Sequence, residues 1–426
     1  MRVFLSAGEP SGDHHAALLV RELRARVPGV ECIGLGGPSM EAAGCRLVAD
    51  LTRLAVMWFL RVILSIHRFV DLARQAERSF LDSPPDVCVL VDFPGFHWWL
   101  AWRAKRHGIP VVFYCPPQIW AWASWRAAKM RRLVDHILAA LPFEHEWFLA
   151  QGMTSTLVGH PFFDDLAGHP QPGLLAGSVL GPLHGLRSAA AEDRPPLVLL
   201  LPGSRTQEIE GNISSILRTA AIVKRRVPEA RFAVAALHER HARRVREVIA
   251  SSAESRGLGI AVEAGKTQAL ISIATTAVAV SGSVSLELLA ARVPSVIVYR
   301  INGFAYVVQS VLRHARFITL VNLLACREPI VPARPVLLPP RTVPPADPEA
   351  VFPEYLSVGD PADRVAGHVI EWLRNPVAFA RARARVDAVA ARVAHPGSAA
   401  RAAEAVIAIA AGTLPGMVTA PGRRAA

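Results

Sequence analysis

The chain is 426 residues long, 52% hydrophobic and 19% charged, with a formal net charge of +12; that length favours two domains able to bury a sizeable core. A basic balance suits nucleic acid, an anionic membrane surface or a phosphate-rich substrate, and the lack of zinc-finger spacing, an aromatic-basic RNA motif or a compact lysine arm argues against the first. Five scattered cysteines without a CxxC pair point to a reducing compartment and away from disulfides or a zinc site.

The opening MRVFLSAGEPSGDHH reads as a strand and a turn into a helix. It is not read as a signal peptide, because no basic stretch precedes a long apolar run. Ser11 or Asp13 can cap the helix, and the amides of the turn can hold an anion; a simple cap accounts for the same residues. Leu54–Ile66 (LAVMWFLRVILSI) is apolar but too short to span a bilayer and is broken by Arg61. It suits either a membrane-surface edge or a buried helix. Next, VCVLV reads as a buried strand that ends at Asp92, before an aromatic stretch containing Trp98 and Trp99. Ligands of open α/β sheets bind beyond the carboxyl ends of strands, which makes Asp92 a candidate catalytic acid or base; a turn acid or helix cap is the alternative. The strands RVFLS, CIGLG, VCVLV, PVVFY, HILAA and STLVG alternate with amphipathic segments at Asp13–Arg26, His67–Leu81 and Ser124–Leu133. Such alternation predicts βα units on a mostly parallel sheet, a first Rossmann-like lobe over residues 1–175.

A Gly-, Pro- and Ala-rich stretch around Ala167 to Pro196 reads as the connection, after which the alternation restarts and predicts a second lobe over 196–360. In LLLPGSRTQEIE a buried strand ends at Pro202-Gly203-Ser204 and Arg205 follows. A guanidinium there suits a diphosphate, or it pairs with Glu208 on its own helix. In VAVSGSVSLELLAA a strand ends at Ser281-Gly282-Ser283 and a helix begins. Its first amides and Ser283 can take a phosphate, and Glu287 can accept from ribose hydroxyls; a capped helix with an ordinary glutamate is the plainer reading. Residues 331–353 are proline-dense and read as an extended surface loop. Helical Ala/Arg-rich patterns and a frayed tail fill 361–426. There is no Asp-x-Asp and no HExxH.

Taken in order, SAGEPSGD, GLGGPSMEAAG, LAVMWF, VDFPGF, PPQIWAW, LPFE, GHPFFD, LLPGSR, SGSVSLE and VNLLACREPIVP resemble the motifs of lipid-A-disaccharide synthases. The resemblance runs from Met1 to about Pro332 and resumes at Phe352–Leu356. It implies an α/β fold of GT-B type, two Rossmann-like lobes with a cleft between them and C-terminal helices. It also implies an inverting transfer of 2,3-diacylglucosamine from UDP-2,3-diacylglucosamine to 2,3-diacylglucosamine 1-phosphate. The products are the β-1,6-linked lipid A disaccharide 1-phosphate and UDP. No metal and no other cofactor is implied. The expected location is cytoplasmic, peripheral on an inner-membrane surface containing anionic lipid. By the same resemblance Asp92 and Arg205 are catalytic, with Asp92 as the base. Ser11, Gly12, Asp13, Gln118, Ser204, Glu208, Gly282, Ser283, Glu287 and Asn322 bind substrate, Asn322 on the nucleotide side. The sequence departs from the family pattern at Ala16, Ser39, Trp58, Arg61 and Cys326, and in the proline-rich loop. Two rival readings are a UDP-sugar epimerase of the same fold and a non-catalytic descendant that binds a UDP-lipid or a membrane.

Overall fold

A computed structural model describes residues 1–52, 66–168, 195–340 and 342–413. Trp58, Arg61 and the apolar segment up to residue 65 lie outside the described residues, as do 169–194 of the expected connection and the tail from 414. The chain forms two compact units, residues 1–165 with the chain from 395 onward, and residues 166–394.

The first unit is built on β1 (Arg2–Ala7), β2 (Glu31–Gly36), β3 (Arg46–Asp50), β4 (Val87–Val91), β5 (Val111–Tyr114), β6 (His136–Ala139) and β7 (Ser155–Leu157). Their order is β3-β2-β1-β4-β5-β6-β7, and all pairs are parallel. Strands covered on both faces need apolar residues at every position, which is why VCVLV shows no polar alternation. Val87, Val89 and Val91 point to one face, where helix Pro10–Arg26 packs through Ala16, Leu19, Val20 and Leu23. Cys88 and Leu90 point to the other, against Phe69, Leu72 and Phe80 of helix Ile66–Asp82 and Trp98 and Leu100 of helix Pro94–Arg106. Trp98 is therefore core, while Trp99 is partly exposed. The short, half-buried β3 was not apparent in the sequence pattern, since RLVAD offers few apolar positions.

The second unit contains β8 (Leu197–Leu201), β9 (Arg231–Ala236), β10 (Ala261–Ala264), β11 (Thr276–Val280), β12 (Ser295–Arg300) and β13 (Glu354–Ser357). The order is β10-β9-β8-β11-β12-β13, again parallel throughout. Helices Thr206–Arg226 and Ala362–Arg374 share one core layer with Val198, Leu200, Val278 and Val296. The proline-dense stretch carries no helix in its described part and exposes Leu337 and Leu338.

The helices grouped by sequence into 361–426 do not form one layer. Ala362–Arg374 and Pro376–Val393 belong to the second unit, whereas Ser398–Ala410 packs Ala402, Ala403, Val406 and Ile409 into the first. The carboxylate of Asp164 fixes that return by accepting from the amides of Gly397, Ser398 and Ala399. These donors open a helix and have no partner within it.

Candidate active site

In both sheets the first strand of the unit is flanked by strands reached by connections running in opposite directions. That arrangement opens a crevice beyond the carboxyl ends of β1 and β4, and another beyond β8 and β11. The motifs singled out from sequence fall at these two places.

In the first unit β4 runs into two consecutive left-handed residues, Asp92 (φ 52°) and Phe93 (φ 50°), before helix Pro94–Arg106 begins. A non-glycine residue in this region costs roughly 1–3 kcal/mol, so the turn needs external support. His97 supplies it. Its Nδ1 lies 2.5 Å from the Asp92 carbonyl and its Nε2 2.9 Å from Ser6 Oγ. A carbonyl only accepts, so Nδ1 carries the proton and Nε2 accepts from the Ser6 hydroxyl. Complete burial pushes the His97 pKa down to about 3, which keeps the ring neutral. Gly8 completes the turn: a Cβ there would stand 2.3 Å from the Phe93 ring.

Burial raises the pKa of the Asp92 carboxyl, and a backbone hydrogen bond from Phe93 partly offsets the rise. A carboxylate held this way is a better proton acceptor than an exposed one. Gly12 is beside it, with its Cβ position 3.7 Å from Asp92 Cβ, and Ser11 is exposed on the same helical turn. Gln118 is exposed in the loop after β5. Asp13 is different. It does not cap helix Pro10–Arg26, whose N-cap is Glu9. Its buried carboxylate accepts from the amides of Gly37 (2.7 Å), Ser39 (2.9 Å) and Met40 (3.2 Å), and so caps helix Pro38–Ala42. With its oxygens engaged and enclosed, Asp13 holds the wall of the crevice. Glu144, which the sequence reading passed over except within LPFE, is fully buried and accepts from Trp120 Nε1 at 3.0 Å. Burial pushes its pKa up to about 7.

In the second unit a cavity of about 300 Å3 is lined by Ser204, Arg205, Glu208, Ser281, Gly282, Ser283 and Glu287, with Thr267 and Leu237 alongside. The structure thus brings the two predicted strand-end motifs to one place. Gly203 adopts φ 121°, and a Cβ there would meet Glu208 Cβ at 2.6 Å, so the turn requires glycine. Glu208 Oε2 accepts from the amides of Ser204 (3.0 Å) and Arg205 (3.2 Å). It is the cap that fixes the loop, as the reciprocal partner of an N-cap residue does. The Arg205 side chain is 82% exposed and only 3.4 Å from Glu208 Oε1. An exposed pair of this kind is worth about 0–1 kcal/mol, so the guanidinium is readily drawn onto a diphosphate. Arg205 also borders an adjoining recess with Arg300, whose Nε is buried without a partner. Glu287 accepts from Gln268 Nε2 at 2.5 Å.

Asn322 is not among the residues lining this cavity. It is fully buried, donates to the Phe352 carbonyl (2.8 Å) and Glu354 Oε2 (2.9 Å), and accepts from the Phe352 amide (2.9 Å). Glu354 in turn accepts from the amides of Ile318 and Thr319, and the Ile318 carbonyl accepts from Ser281 Oγ at 3.1 Å. Asn322 therefore acts from behind the cavity, through Glu354 and Ile318, on the loop that carries Ser281.

Among the described residues there is no group of three His, Cys, Asp or Glu side chains placed to hold a metal ion, and no helix long and apolar enough to cross a membrane. On the surface of the first unit Trp102, Trp122 and Trp125 are exposed. Arg103 and Arg106 stand over the Trp102 ring, and Arg126 stands over Trp122.

Residues 3–333 match the family model described as lipid-A-disaccharide synthetase. A lipid-A-disaccharide synthase of Anaeromyxobacter sp. (strain K) is 30% identical over 409 residues, 96% of this chain and 97% of that protein. The one of Alkalilimnicola ehrlichii is 34% identical over 327 residues, 76% and 82% of the two chains. Among solved structures, the glycosyltransferase of kitacinnamycin superposes with a TM-score of 0.53 at 17% identity, covering 96% of this chain and 98% of that one. A UDP-GlcNAc 2-epimerase from Neisseria meningitidis gives 0.54 at 10% identity, with coverage of 96% and 98%. These two likenesses establish the shared two-lobed α/β fold.

Proposed function

Because this chain belongs to the lipid-A-disaccharide synthase family and is a glycosyltransferase of the two-lobed GT-B type, we propose that it joins two acylated glucosamines. The donor is UDP-2,3-diacylglucosamine and the acceptor 2,3-diacylglucosamine 1-phosphate. The acceptor's 6-hydroxyl loses its proton to Asp92 as its oxygen bonds to the donor's anomeric carbon. The bond from that carbon to the UDP oxygen breaks on the opposite side, which inverts the centre and releases UDP. The raised pKa of the Asp92 carboxyl fits it for the proton.

The UDP lies in the second unit. Arg205 takes the diphosphate and stabilises the charge that develops as UDP departs. Ser283 and Gly282 border the phosphates, and Glu287 accepts from the ribose. Glu208 and Asn322 hold the loops on which those groups sit, and Ser11, Gly12 and Gln118 belong to the acceptor side, Gly12 beside Asp92. The observation that carries this reading is the convergence of LLPGSR and SGSVSLE on one cavity beyond β8 and β11. Transfer proceeds without metal, as the family resemblance implies. The enzyme works peripherally on an anionic membrane surface, where Trp102 and Trp122 with their arginines, and the exposed Trp125, suit the headgroup layer. The test is to incubate the purified protein with both lipids and read the products by mass spectrometry. A tetraacyl disaccharide 1-phosphate with stoichiometric UDP is expected. An epimerised UDP-sugar, or binding without product, would replace this reading by one of its rivals.

A further inference from the structure

A second cavity, of about 540 Å3, shares no lining residue with the one just discussed. It lies in the second unit, between helix Gly303–Leu312 with the strand-like stretch after it and the proline-dense segment. That segment is pinned in place. The Val331 amide donates to the His314 carbonyl at 2.7 Å, the Arg316 amide to Pro329 at 2.9 Å, and the Val336 amide to Ser310 Oγ at 3.0 Å. Such a wall gives the cavity a fixed shape, and its volume falls within the range of small-ligand sites.

Three arginines line it, and they are not equivalent. Arg316 is neutralised by Asp347 (2.9 Å) and Glu349 (2.9 Å). The Arg313 side chain has neither a hydrogen bond nor an ion pair among the described residues, although the residue is half-buried; its backbone amide donates to the Gln309 carbonyl at 2.8 Å. Burial lowers its pKa, and the more distant charges of Glu354 and Tyr306 offset this only in part. Arg334 is exposed, and Glu328 also lines the cavity. A half-buried guanidinium without a side-chain partner is unusual in a folded chain, and the oxygens of an anion are its natural complement. A second unmet group lies beside it: Gln309 Oε1 is buried and has no donor. Phosphoryl oxygens answer the arginine, and a hydroxyl answers the amide. The helix that supplies Gln309 leaves Phe304, Val308, Val311 and Leu312 exposed, and Leu337 and Leu338 of the proline-dense segment are exposed as well.

We propose that this cavity is a second anion site, taking the phosphoryl group of a hydroxylated phosphomonoester on Arg313 and Arg334, with Gln309 accepting from its hydroxyl. The phosphomonoester can come from a soluble sugar phosphate or from a lipid headgroup, and both share the chemistry that Arg313 reads. The site is separate from UDP binding and does not depend on the transferase reading.

Two arms test it on the full chain. In the first, glucose 1-phosphate and inorganic phosphate are titrated calorimetrically, with and without saturating UDP. Binding should persist in UDP, favour the sugar phosphate, and fall about tenfold or more in Arg313→Gln and Arg334→Gln. In the second, phosphatidylcholine vesicles carry either phosphatidic acid, a phosphomonoester, or phosphatidylglycerol, a diester. A lipid source predicts preference for phosphatidic acid that both variants lose. Arg334 is exposed, so its variant folds even where Arg313→Gln does not. The proposal is overturned if UDP displaces the sugar phosphate, or if Arg334→Gln matches the wild type in both arms.

Discussion

Replacing His97 by phenylalanine separates the support of the Asp92 turn from the chemistry of Asp92 itself. The phenyl ring keeps the ring contacts with Phe93, Phe96 and Phe113. It removes the bonds to the Asp92 carbonyl and to Ser6 Oγ. Each orphaned buried group costs roughly 1–3 kcal/mol, so a loss of a few kcal/mol in the stability of the first unit is expected. The two left-handed residues then have no anchor, and the carboxylate shifts. A displacement of about 1 Å costs on the order of a hundredfold in turnover. The UDP cavity lies in the other unit and should keep its affinity. Urea unfolding, a product assay and a UDP titration on the same sample give the three quantities. Adding Ser6→Ala to the variant should restore part of the stability, because one orphan is removed, without restoring turnover. The reasoning fails if the folded variant turns over like the wild type, or if UDP affinity falls in step with turnover.

Three other outcomes follow from the same groups. His97 is fully buried and His15 and His160 are partly buried, and desolvation lowers their pKa values from 6.5 to about 3 for His97 and His15 and about 4 for His160. The unfolded chain therefore binds protons that the folded chain does not, and stability, full above about pH 6.5, should decline as pH falls toward 4; a flat urea midpoint from pH 7 to 4 would contradict this. Arg205→Ala should weaken UDP binding and slow transfer together, since the guanidinium touches both bound and departing phosphate, while EDTA leaves the wild-type rate unchanged; restoration by manganese of an EDTA-abolished rate would overturn the metal-free claim. Trp122→Ser with Trp125→Ser should weaken binding to anionic vesicles at any salt, and Arg126→Glu mainly at low salt; vesicle binding indifferent to both would remove this surface from the membrane contact.

What could be seen in the sequence was local. Continuous apolar runs such as VCVLV and LVLLL can only be strands covered on both faces, and each ends in a turn whose residues are contiguous with it. Gly203, Arg205 and Ser283 were legible for that reason. The roles of Asp13 and Asn322 were not, because a carboxylate or amide shows its type in the sequence but not its partners. Those partners are the amides of Gly37, Ser39 and Met40 in one case and Phe352 with Glu354 in the other. His97 was hidden in an aromatic run, and its bond to Ser6 spans 91 positions. Likewise the apolar stripe of Ser398–Ala410 announced a buried face without naming helix Pro10–Arg26 as its neighbour.

The central claim is that Asp92 takes the acceptor's proton while UDP is held elsewhere. Asp92→Asn keeps the side chain's shape and removes its basicity, and the comparison to make is turnover against UDP affinity in that one variant. Turnover should fall on the order of a hundredfold or more, with UDP affinity unchanged. In the wild type the rate should fall on the acid side, at a pH above that of an ordinary carboxyl, because burial raises the Asp92 pKa. Near-normal turnover in Asp92→Asn, with the acid limb still present, would show that another group takes the proton and would contradict the account.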